Sequence, residues 1–199
     1  MLAGSFVATA LAAIALAGPT LPAPPSPDAL AGARDQAQTW LGAHGYPGYA
    51  VSEVMAFTKN DYVAVADPAG RPAFELLLYP SVGWVMPEPQ AMMWNTRYGM
   101  MGGAIAGPAM MGGQSGLFGD GAGRVGSVAQ AAKVADRWLA LTRPGERAET
   151  DGRAFPGYFT LDTTRDGKTF GMLSVNAATG VVWYHGWHGA FLAERVFPS

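Results

Sequence analysis

ARDQAQTWL, residues 33–41, returns 98 positions later as AAKVADRWL, residues 131–139. The correspondence continues beyond these two stretches. Ala56-Phe57 answers Ala154-Phe155, Tyr62 answers Tyr158, Gly70 answers Gly167 and Gly83 answers Gly180, with the glycines 13 positions apart in both copies. Self-similarity at so long a period signals a duplicated small domain, because a solenoid needs three or more short repeats to bury its core. Each copy reads as helix, strand, turn, strand, turn, strand.

The quoted stretches belong to two amphipathic helices. Leu30, Ala33, Ala37, Trp40 and Leu41 fall on one helical face, and Val128, Ala131, Ala135, Trp138 and Leu139 repeat that spacing. Ser26 is placed to cap the first helix and Pro27 suits its first position, where the missing N–H costs nothing. Ser127 and Gln130 form an S-x-x-Q capping box for the second. Gly45 and Pro47 stop the first helix, and Arg143-Pro144-Gly145 stops the second. His44 falls at a helix C-terminus, where a partial positive charge suits the dipole.

In the second copy Phe159, Leu161 and Thr163 alternate with Tyr158, Thr160 and Asp162, the period of two of a strand with one buried face. Asp166-Gly167 follows as a tight hairpin signal, since such a turn needs positive φ. Phe170–Val175 returns, and Val181–Tyr184 is a third strand. The first-copy equivalents are Asp61–Ala66, Ala73–Tyr79 and Trp84–Met86. The expected fold class is α+β: two repeats, each one helix on a three-stranded antiparallel sheet, joined by a Met/Gly-rich connector. The repeats are expected to pack helix to helix or to join edge strands into one wider sheet.

Helix, Tyr-containing strand, Asp166-Gly167-Lys168 hairpin and MLSVNAATGVVWY (172–184) together resemble the PepSY domain family. The second copy carries the resemblance through Tyr158, Gly167, Val175 and Gly180. The first departs from it, with Pro68-Ala69-Gly70-Arg71 and Pro80-Ser81-Val82-Gly83 in place of the two turns. The resemblance implies an extracytoplasmic, non-enzymatic binding, inhibitory or regulatory module that acts on a protein partner. It implies no catalytic residues.

The N-terminus fits that compartment. Leu2–Gly18 is an uncharged apolar run ending in Ala15-Leu16-Ala17, the h-region and cleavage pattern of a signal peptide, though without a preceding Lys or Arg. An uncleaved anchor and a buried helix are the alternatives, and a membrane is involved only if the leader stays uncut. Expected boundaries are 1–17 signal peptide, 18–28 proline-rich spacer, 29–89 first repeat, 90–126 connector and 127–199 second repeat.

With 13 basic and 15 acidic side chains and a net charge of -2, the chain has no electrostatic footprint for nucleic acid. It contains no cysteine, which excludes disulfides, thiolate metal sites and cysteine nucleophiles. Neither a G-x-S-x-G elbow nor a serine–histidine–acid order is present, so an enzyme is not expected. Gly121-Ala122-Gly123-Arg124-Val125-Gly126 is a G-x-G-x-x-G, but no strand precedes it and it reads as linker.

The connector is unusual. Glycine supplies 11 of the 28 residues from Gly99 to Gly126, and methionines pair as Met92-Met93, Met100-Met101 and Met110-Met111. Thioethers are soft ligands that suit Cu(I) or Ag(I), yet methionine also serves as adaptable packing against a sheet or partner. His185 and His188, three residues apart after the last strand, offer two imidazoles, only half of a metal site, and Glu194 is the nearest acid. Local capping of the sheet end is the plainer account of the two rings. Trp183, Tyr184, Trp187 and Phe191 are candidate partner contacts. Two functions are therefore expected to compete: a PepSY-type module on an extracytoplasmic protein, and a soft-metal protein that binds Cu(I) through the connector.

Overall fold

A computed structural model describes residues 21–99 and 123–198. The leader, Met100, Met101, Met110, Met111 and the start of the glycine motif lie outside those residues. Helix α1 (Pro27–Ala43) begins where Ser26 Oγ accepts from the Ala29 N–H at 3.2 Å. It leads into a meander of β1 (Ala50–Phe57), β2 (Asp61–Ala66), β3 (Pro72–Tyr79) and β4 (Trp84–Pro87). A short helix α2 (Pro89–Trp94) follows directly. Helix α3 (Val128–Thr142) is capped by Ser127, and Gln130 reaches back to the Gly126 N–H at 2.8 Å, one residue earlier than a standard capping box. After it come β5 (Glu146–Ala148), β6 (Arg153–Phe155), β7 (Tyr158–Arg165), β8 (Lys168–Asn176), β9 (Val182–Tyr184) and β10 (Phe191–Val196).

The fold is α+β, with two antiparallel sheets. One has the order β10-β1-β2-β3-β4; in the other, β5-β7-β8-β9, the short β6 also pairs with β7. Each sheet thus has five strands, not the expected three. Strand β1 escapes sequence reading because both of its faces are buried, so it shows no alternation. Strand β10 escapes it for the opposite reason, being a half-exposed edge whose residues FLAERV carry no apolar period. It crosses from the second half of the chain to pair with β1, Met55 opposite Glu194.

The sheets stack face to face, with α1 and α3 on the outer faces. In the first sheet Val54, Val63 and Leu76 are in register on one face, and Met55, Tyr62 and Leu77 on the other. Leu30, Ala33, Ala37 and Leu41 of α1 cover the first face. The second face meets Phe155, Tyr158 and Met172 of the other sheet in one continuous core. Phe159, Leu161, Leu173 and Val175 turn away to pack on Ala131, Ala135 and Leu139 of α3. Neither expected packing is found, because strands buried on both faces require a cover on each.

Gly157 ties the layers at one corner. Its φ is 95° in the β6–β7 turn, and a Cβ there would run into the Trp94 carbonyl and the Thr96 side chain. The adjacent Pro156 carbonyl accepts from the Thr96 N–H at 3.0 Å. Gly157→Ala is therefore expected to cost about 2–3 kcal/mol from backbone strain plus displacement of the α2 end. A thermal melt within 1 °C of the parent protein would refute this.

Candidate metal centre

Pro87-Glu88-Pro89 forms the corner between β4 and α2. The second proline restricts Glu88 to extended backbone, observed at φ -65° and ψ 153°. The Glu88 N–H donates to the Glu75 carbonyl at 3.0 Å, so strand pairing carries the residue inward and its side chain is fully buried. His185 continues from β9, its N–H donating to the Met172 carbonyl at 2.9 Å. The chain then turns through Gly186 and Trp187 to His188, whose carbonyl accepts from the Lys59 N–H at 3.0 Å. Docking on the β1–β2 turn fixes the loop that carries both rings.

These elements bring Glu88, His185 and His188 together, all buried, with one ligand atom from each within 4.8 Å of the others. His188 Nε2 is 3.0 Å from Glu88 Oε1 without being aligned for a hydrogen bond, and His185 Nδ1 is 3.6 Å from Oε2. The far side of each ring is already bound. His188 Nδ1 is 2.6 Å from Asn60 Oδ1, while the Asn60 amide donates to the Trp187 carbonyl at 3.2 Å. That amide orientation makes Nδ1 the donor and leaves Nε2 turned toward Glu88. His185 Nε2 is 3.0 Å from Ser174 Oγ, itself 2.9 Å from Thr160 Oγ1.

Around this set lies a dry polar layer. Gln90 donates to both Glu75, at 2.8 Å, and Glu88, and Tyr62 donates to Glu75 at 2.9 Å. Burial, and then the charge of Glu88, pushes the Glu75 carboxyl up to about 7. Burial opposes ionisation of Glu88 too, but His188 and then the Gln90 amide outweigh it and hold that carboxyl below its ordinary value. Burial pushes His185 down to about 3, so its ring is neutral at physiological pH. Phe57 stacks on His188 and Trp187 on His185, each with centroids 4.6 Å apart, which excludes water from the cluster.

The remaining rings singled out by sequence are held within the chain. Trp183 lies 5.5 Å from both Trp94 and Trp187, Tyr184 stacks on Trp138 beneath the Arg143 guanidinium, and Phe191 meets Phe57 edge-on. Met92 and Met93 sit on α2, the first half-buried and the second exposed. Glu194, the nearest acid in sequence, is on β10 and is not part of the three-residue cluster.

Glu88 is the residue that sequence reading missed. It lies in the other half of the chain, and its one signal is a carboxylate between two prolines at the end of an apolar strand. Two imidazoles and a carboxylate are a borderline-to-hard donor set that suits Zn2+, Cu2+ or Ni2+ better than Cu(I). Comparison with family models, curated proteins and solved structures finds no match to this chain.

Proposed function

We propose that this chain is a non-enzymatic metal-binding protein that holds one divalent cation, Zn2+ in the first instance, at Glu88, His185 and His188. The observation that carries the reading is the convergence of three buried donors whose outer partners are already in place. Glu88 Oε1, His185 Nδ1 and His188 Nε2 all lack a hydrogen-bond partner, whereas the opposite ring nitrogens are bound by Ser174 and Asn60. Ligating histidines show that division of labour, because the outer hydrogen bond sets the tautomer and ring orientation. An ionised carboxylate beside a neutral imidazole is also costly in a dry interior, and a cation offsets that cost. Gln90 Oε1, buried and without a partner on an amide that touches Glu88, offers a further oxygen.

Complete enclosure of the ligands favours holding a cation over hydrolysis, which needs an open coordination position. Glu88 comes from one half of the chain and both histidines from the other, so a bound cation ties the halves together. In the first half α1 precedes an antiparallel meander, β1 to β4. In the second, α3 precedes β5 and β6, which both pair with β7, and the meander β7 to β9. That order supports the two-repeat organisation and the PepSY resemblance, with α2 as an addition to the first repeat. On this reading the protein is exported, and metal occupancy stabilises the module that an extracytoplasmic protein partner recognises.

The test is equilibrium dialysis of chelator-stripped protein against Zn2+, Cu2+, Ni2+ and Co2+, with thermal melts in parallel. One equivalent is expected to bind, adding about 2.7 kcal/mol of stability at a free concentration of 100 Kd. Glu88→Gln should weaken binding more than ~100-fold, beyond the range of an outer partner, and Asn60→Ala by ~10–100-fold. Absence of saturable uptake for all four ions, or unchanged affinity in the Glu88→Gln protein, would remove the site.

A further inference from the structure

A second site lies on the opposite face of the first sheet. Between α1 and the strands is a cavity of about 400 Å³, within the range of small-molecule pockets. Its walls are apolar: Leu30 and Ala33 from the helix, Phe57 and Leu78 from the sheet, and Leu192 from β10. Asp61, at the start of β2, opens into it. Its register with Ala56 and Leu78, both of which line the cavity, places it on the helix-facing side. Only 7% of its surface is exposed, no group among the described residues donates a hydrogen bond to its carboxylate, and the oxygens are not sealed off but open to the cavity, although the charge of His188 acts on them. No lysine or arginine lines the cavity.

A largely buried carboxylate whose oxygens open onto an apolar cavity favours an occupant that brings a donor. The backbone supplies none. Nor does Gln36, the other polar side chain of the wall, whose amide instead points toward Gly83. The missing partner is therefore a donor that arrives with an apolar body. We propose that this cavity binds a small apolar amine, whose alkyl or aryl part lies against Leu30, Phe57, Leu78 and Leu192 and whose ammonium group pairs with Asp61. A neutral alcohol of the same shape gains the apolar contacts but not the charge-assisted hydrogen bond, and a carboxylic acid is repelled.

The metal centre lies on the other face of the first sheet, although Phe57, a wall of the cavity, stacks on His188, and the His188 charge reaches Asp61. The test of amine binding is calorimetric titration of the full chain with n-octylammonium, 1-octanol and octanoate. Saturable 1:1 binding of the amine is expected, at least tenfold tighter than the alcohol, with no binding of the acid. Asp61→Asn, close in shape, should abolish the preference of amine over alcohol while melting at or above the temperature of the parent. The preference of amine over alcohol should persist in chelator-stripped protein with no metal bound, so that failure of the metal reading and failure of this one are separable. Equal affinity for amine and alcohol, or a preference that survives Asp61→Asn, would overturn the assignment.

Discussion

Arg153→Met is expected to lower stability by about 1–3 kcal/mol near pH 8, the range for a buried polar group left without its partner. Arg153 on β6 grips Glu53 on β1 with both terminal nitrogens, Nη2 to Oε1 at 2.7 Å and Nη1 to Oε2. Glu53 is almost completely buried, and the pair joins the two sheets across their shared core. Asp162 and Glu194 lie in the same polar cleft, so among the described residues that line it the guanidinium is the one cation beside several carboxyls. Methionine replaces the stem of the side chain but not its charge, so Glu53 loses the one group that lowers its carboxyl, holds its proton, and is left buried without a partner. Adding Glu53→Gln should recover part of the loss, because the unpaired carboxyl goes with it. Urea denaturation of the single and double variants measures the coupling directly. A single-variant loss below 0.5 kcal/mol would mean that the pair is dispensable.

The second large effect is an inverted dependence of stability on pH. Four carboxyls are pushed up by burial: Glu53 to about 8, Glu75 and Asp162 to about 7 and Asp61 to about 6. Between their ordinary values near 4 and these raised ones, the folded chain holds more protons than the unfolded chain. Their contribution is then fully present in acid and is lost as pH rises through the raised values. His185 acts in the opposite sense. Its folded value near 3 lies below that of the unfolded ring, so its contribution falls away as pH drops below about 6.5. Glu88, held below its ordinary value, also opposes acid, but only below that value. Four groups outweigh one across the window from pH 5 to pH 8. A carboxyl that holds its proton tenfold more tightly in the fold contributes about 1.4 kcal/mol, so four such groups together make a difference on the order of 5 kcal/mol. Metal-free protein is expected to be most stable near pH 5 and markedly less stable at pH 8. Urea midpoints that rise over that interval would show that the cleft carboxyls are ionised in the fold.

These effects mark where sequence reading stops. Helix faces, both serine caps and the Asp166-Gly167 hairpin were legible, because each depends on residues within a few positions of one another. The hairpin forms with φ of 52° at Asp166 and 71° at Gly167, positive at both as a two-residue turn of this kind requires. Leu30, Ala33, Ala37 and Leu41 are buried as their spacing demands. Strands β1 and β10 were not legible: one is apolar on both faces, the other an edge held by a partner strand from the opposite end of the chain. His185 and His188 were visible as two imidazoles, but what completes them was not. Asn60 and Glu88 reach them only through the docking of the β9–β10 loop on the β1–β2 turn.

By itself the sequence determined the local elements and the α+β class, since periodicity, caps and turn residues are short-range properties of the chain. Only the tertiary structure decided that the sheets face each other, that β10 returns to the first sheet, and that Glu88 meets two histidines in the dry interior. The physical reason is burial. Whether a carboxylate is a solvated surface charge or a desolvated ligand depends on which face of which sheet covers it, and that is a property of contacts between residues far apart in the chain.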